Sequence, residues 1–250
     1  MKIIYTFWLL LASQVLSATP AGFVEDNNLS TFDSLMLPSN IDEAQFQGLI
    51  QIAQNSYDTY IREGKLKALR IQGFWPDSTV NAYMNPQLQI NIVTIYGGLA
   101  RRPELSLDGL GLVLCHEIGH AYGGQPDKRA PLFKVSVEGQ ADYFGAMNCL
   151  ARIIDHIPRN FEAATPPSIQ KLCAQGSGDS DRCERLLIAG QSVGELLAMI
   201  KAQPVPSYDT PDQTVVPSTL ASYPKLIQCR LDTYLRGFLG QARPRCWYKS

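Results

Sequence analysis

The stretch that decides the fold is VLCHEIGHAYGG, from Val113 to Gly124. The chain of 250 residues has only three histidines, and two of them, His116 and His120, lie here with Glu117 directly after the first. Residues four apart share one face of a helix, so both imidazoles can bind one metal ion. Glu117 follows His116 directly and is therefore displaced from the face of the two histidines by about 100° around the helix axis. The alternative is an ordinary helix that carries two histidines by coincidence.

A catalytic zinc ion usually takes three protein ligands and a water, so a third ligand is expected downstream. Glu138 lies 138 − 120 = 18 residues after His120, at the start of the next predicted helix. Asp142 follows four residues later on the same face, where it can accept the second N–H of a zinc-bound histidine, most plausibly His116. The sequence therefore predicts one Zn²⁺ per chain, bound by His116, His120 and Glu138.

Glu117 is predicted to be the catalytic base, because it can reach a water at the metal without sharing the metal itself. The HExxH pattern recurs in zinc peptidases for this reason. Cys115 lies on the opposite side of His116 from Glu117, and we expect a packed or disulfide-bonded cysteine there in preference to a ligand. His156 has no patterned partner and is assigned no function.

The N-terminal part predicts export. Lys2 is followed by an uncharged apolar run over residues 3–16 and then by Ser17 and Ala18, as in a signal peptide. A buried N-terminal helix is the alternative, although such a helix normally has polar positions on one face. We predict a signal peptide at residues 1–18, a single zinc metallopeptidase domain at 19–250, a secreted or periplasmic protein, and no stable membrane span after signal removal.

The charge and the cysteine count of the chain indicate which partners are disfavoured and whether disulfides form. The net charge of −1 and the lack of a Lys/Arg run disfavour nucleic acid and anionic membranes. Six cysteines in an exported chain usually form disulfides. We predict two local pairs, Cys229–Cys246 and Cys173–Cys183. Cys115 and Cys149 are then left, but an antiparallel arrangement of the two metal-bearing helices would place them too far apart for a disulfide. Either the helices cross so that the two cysteines meet, or Cys149 pairs with Cys173 or Cys183 instead.

Periodicity and capping signals predict an α+β protein, mostly helical with one small sheet. Helices are expected to begin at an Asn40 cap with Glu43 as its partner, at Ser106 and at Ser136, and to cover 167–174, 182–201 and 225–239. Strands are expected within 65–75 and on either side of the Asn85-Pro86 turn signal.

The motifs resemble those of one known family. The stretch 80–124 resembles the core of the HtpX / CAAX prenyl protease / BepA-like zinc peptidases, which are gluzincins, and Asn81-Ala82, Gly98-Leu99 and the HExxH helix follow in the family's order. The segment EGQADYFGA supplies Glu138, Ala141 and Asp142. The resemblance implies a zincin-like fold without the family's transmembrane helices. It also makes Asn81 a possible substrate or oxyanion contact.

A weaker likeness lies in SYPKLIQCRLDTY, residues 222–234. Pro224 and Arg230 match the family, while Tyr223 stands where the family has a histidine near the zinc. The resemblance implies that Arg230 contacts substrate or oxyanion. It implies for Tyr223 a hydroxyl that donates to the oxyanion or caps the metal. A Tyr-Pro turn packed on the surface is the alternative.

These observations predict an exported zinc endopeptidase that cleaves protein or peptide substrates. Its substrate would lie extended along an exposed strand edge at Ile90, Asn91 and Ile92. One rival is a non-catalytic binding or assembly factor that keeps the zinc site, and a small-molecule metallohydrolase is another. The intact Glu117 argues against the binding or assembly factor, because a structural zinc site needs no base. The shape of the cleft would distinguish an endopeptidase, which needs a groove, from a small-molecule hydrolase, which needs a closed pocket.

Overall fold

The computed structural model describes residues 22–25, 27–29, 39–130, 133–159, 165–174 and 179–250. The predicted signal peptide, residues 1–18, lies outside them. Within these ranges no helix has both the length and the apolar character that crossing a membrane requires.

Helices and two small sheets build the fold, which confirms the α+β class. The helices are α1 (Glu43–Arg62), α2 (Gly97–Ala100), α3 (Leu107–Tyr122), α4 (Glu138–Phe144), α5 (Ala151–Ile153), α6 (Pro167–Ala174), α7 (Ser180–Lys201) and α8 (Ile227–Phe238). A π-helical turn, Gly145–Leu150, joins α4 to α5. The strands are β1 (Ala68–Phe74), β2 (Ala82–Pro86), β3 (Ile90–Tyr96), β4 (Asp127–Ala130) and β5 (Phe133–Ser136).

The first sheet has the strand order β1-β3-β2. Strand β1 pairs parallel with β3, with Ala68 opposite Ile90, and β2 pairs antiparallel with β3, with Ala82 opposite Ile95. Successive residues of β3 alternate between buried and half-buried, as expected when one face of a sheet covers a core.

The three-stranded sheet is the small sheet that the sequence predicted, and the antiparallel hairpin of β4 and β5 is a second sheet that was not predicted. Strand β4 reads DKRA and has no alternation of apolar and polar residues that would mark a strand. Ser136 was predicted to cap a helix, but it ends β5, and the N-cap of α4 is Val137. The Ser136 hydroxyl instead donates to the Gly124 carbonyl at 2.8 Å.

Of the other predicted helix starts, one cap is confirmed, one was wrong, and two helices begin within two residues of the prediction. The Ser106 cap of α3 is confirmed. Helix α1 is capped by Asp42, which forms a capping box with Gln45, so the predicted Asn40 cap was wrong. The Asn40 side chain donates to the Pro103 carbonyl instead. Helix α7 begins at Ser180, two residues before its predicted start, and α8 lies within its predicted range.

Helix α3 runs through the centre of the molecule and packs against α7, α4, the π-helical turn and β2. Glycines let α4 pass close to it. A Cβ added at Gly119 would lie 2.7 Å from the Ala141 carbonyl oxygen, and one at Gly145 would lie 3.1 Å from the Cys115 backbone. The chain segments that begin with His116 and with Glu138 therefore face each other closely.

Both predicted local disulfides, Cys173–Cys183 and Cys229–Cys246, are present, and the third pair, which the sequence left open, is Cys115–Cys149. The geometric doubt about Cys115–Cys149 was wrong, because the Cα atoms of this pair are 5.4 Å apart. No side chain separates α3 from the chain at Gly145, and the wide π-helical turn that follows brings Cys149 back toward α3. Disulfides are typical of proteins from oxidising compartments.

Candidate metal centre

The two histidines of α3 point their Nε2 atoms toward the same place. Their rings are 4.7 Å apart, centroid to centroid. His116 Nδ1 lies 2.7 Å from Asp142 Oδ1, and His120 Nδ1 lies 2.8 Å from the Ser136 carbonyl oxygen. Because both Nδ1 atoms have acceptors, both Nε2 atoms keep a lone pair for another partner.

Glu138, the first residue of α4, completes a set of three donor atoms. Its Oε2 lies 3.5 Å from His116 Nε2 and 3.4 Å from His120 Nε2, and all three atoms are buried without a hydrogen-bond partner in the described ranges. Ligands of a tetrahedral zinc ion at bond lengths of about 2.0–2.2 Å are separated by about 3.3–3.6 Å. The donor separations therefore fit a zinc ion.

The other oxygen of Glu138 is held by Lys128 of strand β4, whose Nζ donates to Oε1 at 3.1 Å. Burial alone would raise the pKa of Glu138, but His120 and His116 more than offset it and hold the pKa well below its usual range. One oxygen of Glu138 is thus held by a lysine, and the other faces both histidines.

Glu117 lies beside this set with a fully buried side chain. Its Oε1 is 4.0 Å from His116 Nε2, and neither carboxylate oxygen has a hydrogen-bond partner of good geometry among the described residues. Burial raises the pKa of Glu117 to about 8, although His120 and the nearby Met84 backbone oppose the shift. A carboxylate in this position can accept a proton near neutral pH.

Asp142 connects His116 to helix α8. Arg230 forms a bidentate pair with it, with Nη2 2.7 Å from Oδ1 and Nε 2.8 Å from Oδ2. The Tyr234 hydroxyl donates to Oδ1 at 2.9 Å. Burial alone would raise the pKa of Asp142, but Arg230 and His116 lower it below the usual value. The carboxylate therefore stays charged and holds the His116 ring in one orientation.

The three residues that were candidates for substrate contact touch the chain's own residues. The Asn81 side chain bonds the backbone of Val24, and the Tyr223 hydroxyl donates to the Gly22 carbonyl. Arg230 is directed chiefly at Asp142. Tyr223 lies under the Arg230 guanidinium, whose carbon is 5.4 Å from the ring centroid. Burial raises the pKa of Tyr223, and the carboxylate of Glu138 adds to the shift.

The predicted substrate edge at Ile90, Asn91 and Ile92 was wrong, because β3 is the central strand of its sheet. These residues face Ala68, Leu69 and Arg70 of β1, and Asn91 and Ile92 also pair with Pro86 and Asn85 of β2. Strand β2 is the edge next to α3.

Several residues of the centre were missed by sequence reasoning. Lys128, Ser136 and Tyr234 contact a donor residue or its carboxylate partner, and Phe23 packs on the His116 ring. Tyr234 follows Arg230 by four residues on one helix face, which is the only local signal among them. Cys115 is disulfide-bonded, and His156 lies exposed outside the centre.

Comparisons of the chain with protein-family models, with curated proteins and with solved structures find no match.

Proposed function

We propose that the protein is a zinc-dependent endopeptidase with a zincin-like fold. The observation that carries the proposal is the convergence of three buried donor atoms, His116 Nε2, His120 Nε2 and Glu138 Oε2, at separations of 3.4 and 3.5 Å from the carboxylate to the imidazoles. Beside them lies Glu117, a fully buried carboxyl group that has no hydrogen bond of good geometry within the part of the chain that the structure describes.

The donor set favours zinc. Two neutral imidazoles and one carboxylate leave a fourth position open, as in catalytic zinc sites. When bound there, zinc would polarise a scissile carbonyl and make an attacking water more acidic. Asp142 and the Ser136 carbonyl orient the two imidazoles. Their Nε2 atoms would hold the ion together with the Glu138 oxygen that Lys128 does not bind.

Glu117 is the proposed general base. It takes a proton from the attacking water and returns it to the leaving amine, while the buried surroundings keep bulk water away. Burying a carboxyl group with no well-formed hydrogen bond among the described residues costs several kcal/mol, on the order of the desolvation of a polar or charged group. A binding or assembly factor that keeps zinc for structure alone needs no general base, so nothing would offset this loss of stability. The buried Glu117 therefore disfavours that alternative.

The resemblance to gluzincins is part of the same proposal. A helix with HExxH, a following helix with Glu138 and Asp142, and a small sheet on one side are the parts that the resemblance implies. We further propose that the chain is exported by its N-terminal signal, which the three disulfides support because oxidising compartments favour them. The substrates are then extracytoplasmic proteins or peptides.

The test combines metal content with cleavage of an unfolded test protein. Wild-type protein should hold about one zinc per chain, and His116→Ala and His120→Ala should lose it. Glu117→Gln should keep the zinc and lose turnover, because it removes the base and no ligand. Glu43→Gln makes the same change at an exposed position of α1 and should leave both unchanged.

Three outcomes contradict the proposal. Full zinc retention in both histidine variants would mean that the zinc is bound elsewhere. Undiminished cleavage by Glu117→Gln would mean that another group takes the proton, while zinc without cleavage of any polypeptide would favour the binding or assembly factor.

A further inference from the structure

The outer edge of strand β2, which is the sheet edge next to the metal-site helix, is covered by Gly22–Val24, here called the cleft segment. Gly22 forms an antiparallel bridge with Tyr83, and the Phe23 N–H donates to the Ala82 carbonyl at 2.9 Å. Adding an extended peptide to a free strand edge is a common way to bind polypeptides, and this chain does it with its own residues.

Three side chains hold the backbone of the cleft segment. Asn81 binds Val24 twice, because Oδ1 accepts from its N–H at 3.1 Å and Nδ2 donates to its carbonyl at 3.0 Å. Tyr223 donates to the carbonyl of the first segment residue, and Arg230 Nη1 donates to the carbonyl of the second at 3.3 Å. Backbone groups are the same in every peptide, so another extended chain can make these contacts.

Phe23, the central residue of the cleft segment, packs against the proposed metal site. Phe23 is fully buried, and its ring meets the His116 ring edge to face at a centroid distance of 5.1 Å. The Arg230 guanidinium lies over the other part of the same ring, with its carbon 4.6 Å from the centroid. The segment thus places an aromatic side chain directly beside a proposed zinc ligand.

With the segment in place, the centre is closed. His116, Glu117 and Glu138 are at most 1% exposed and His120 is 4% exposed. A polypeptide substrate has to bring its carbonyl to this centre, so part of the cover must leave first. The cleft segment is the part that already follows the path of an extended peptide.

We propose that the cleft segment occupies the substrate path and restrains the enzyme, and that the substrates are extended polypeptides with a bulky apolar residue where Phe23 lies. This inference rests on the proposed peptidase function, because it assigns the occupant and the specificity of the same site. Displacing the segment opens the groove between β2, Asn81, Tyr223 and Arg230 and gives a substrate access to Glu117.

The experiment uses the intact protein and the variant Phe23→Ala, with Phe74→Ala as the matched control because Phe74 is 45% exposed on β1. A synthetic peptide of residues 19–28, TPAGFVEDNN, is titrated against each protein by calorimetry, next to the same peptide with alanine for Phe23. Cleavage of an unfolded test protein is measured in parallel.

We expect Phe23→Ala to bind the peptide at least tenfold more tightly than wild type does and to cleave at least tenfold faster, with the peptide suppressing the gain. The alanine peptide should bind at least tenfold more weakly. Equal peptide affinity in Phe23→Ala and Phe74→Ala overturns the inference while leaving the peptidase untouched. A gain in peptide affinity without any cleavage supports the groove and overturns the peptidase.

Hydrogen exchange of the wild-type protein tests the same inference even if Phe23→Ala fails to fold. We expect the amide hydrogens of Phe23 and Val24 to exchange through local opening, at least 100-fold faster than that of Leu114 in α3. Exchange as slow as that of Leu114 would show that the segment leaves only when the whole protein unfolds, and the inference then fails.

Discussion

Asp142 Oδ1 lies 2.7 Å from His116 Nδ1, with both side chains fully buried. The same carboxylate receives two hydrogen bonds from Arg230 and one from Tyr234. Its position is therefore set by helix α8, and through it α8 sets the orientation of a proposed zinc ligand on α3. This one side chain therefore couples the proposed zinc ligand His116 to the packing of α8.

Asp142→Asn tests this coupling. The amide has the shape of the carboxylate but leaves the buried Arg230 charge without a counter-ion, so we expect the unfolding free energy to fall by about 3 kcal/mol. Zinc affinity should fall by about 10–100-fold, because the amide oxygen that replaces the carboxylate is an uncharged and weaker acceptor for the His116 Nδ1–H. Chemical denaturation and competition with a chelator measure the two quantities.

The control for this variant is Asp108→Asn. Asp108 forms an equally bidentate pair with Arg185, at 2.9 and 2.7 Å, but contacts no proposed ligand. It should lose stability and keep its zinc affinity. If Asp142→Asn and Asp108→Asn retain the same zinc affinity, Asp142 has a structural role only.

The residues of the centre that the sequence revealed are those set by local spacing. His116, Glu117 and His120 share one helix, and Asp142 is one turn after Glu138, so helical periodicity alone brings each group together. The Ser106 cap and the Gly123-Gly124 stop fixed the length of that helix. The contact between Asp142 and His116 was predicted because a zinc-bound histidine commonly donates its other N–H to a carboxylate or carbonyl.

The remaining features depend on pairings that no local pattern encodes. The position of β3 between β1 and β2 depends on hydrogen bonds between segments that are distant in sequence. The sequence-based prediction that β3 is an edge strand was therefore wrong. Lys128 reaches Glu138 from a hairpin without an alternating pattern. Phe23 lies in an irregular stretch, and its neighbour Val24 is held by Asn81, which is 57 residues away along the chain.

Tyr223→Phe separates two roles of the phenol. In this structure the hydroxyl donates to a peptide carbonyl of the cleft segment, which is a contact to a bound backbone in its ground state. Loss of one such neutral hydrogen bond is worth about 0.5–1.5 kcal/mol, so we expect KM to rise by up to about tenfold with kcat unchanged. Steady-state kinetics with a peptide substrate measure both constants.

Tyr208→Phe is the matched control, because the Tyr208 hydroxyl also donates to a carbonyl, that of Leu187, away from the centre. It should leave KM and kcat unchanged. A fall in kcat of about 10²–10³ in Tyr223→Phe would instead identify the phenol as a donor to the developing oxyanion. Unchanged kinetics would leave it as a residue that holds only the chain's own segment.

The Cys115–Cys149 disulfide ties α3 to the π-helical turn that follows α4. Its sequence separation is 34, against 10 for Cys173–Cys183. Loop-closure entropy then predicts losses of about 3.8 and about 2.7 kcal/mol when each pair is replaced by alanines. We also expect only the Cys115/Cys149 variant to lose zinc affinity, since only this bond joins the segments that carry His116 and Glu138. Equal zinc affinity in both double variants would contradict this.

Gly22→Ala displaces the cleft segment without touching a proposed ligand. A Cβ at this position would lie 2.6 Å from Asn81 Nδ2 and 2.7 Å from the Tyr83 ring, closer than real Cβ atoms approach. The Asn81 amide is held by bonds to Val24 and Ala82, so it has little freedom to yield. We expect the segment to leave β2, with cleavage rising about tenfold and faster exchange of the Phe23 amide.

Gly48→Ala is the control for the added methyl group, because nothing lies within 4 Å of that position on α1. It should raise helix stability by about 0.5–1 kcal/mol and leave cleavage unchanged. Overpacking at Gly22 should instead cost about 1–3 kcal/mol if the segment stays in place. A Gly22→Ala protein that is destabilised by this amount, yet keeps the wild-type cleavage rate and amide protection, would show that the segment is a fixed wall of the centre. Rapid cleavage with little loss of stability would show that the segment is held weakly enough for a substrate to replace it.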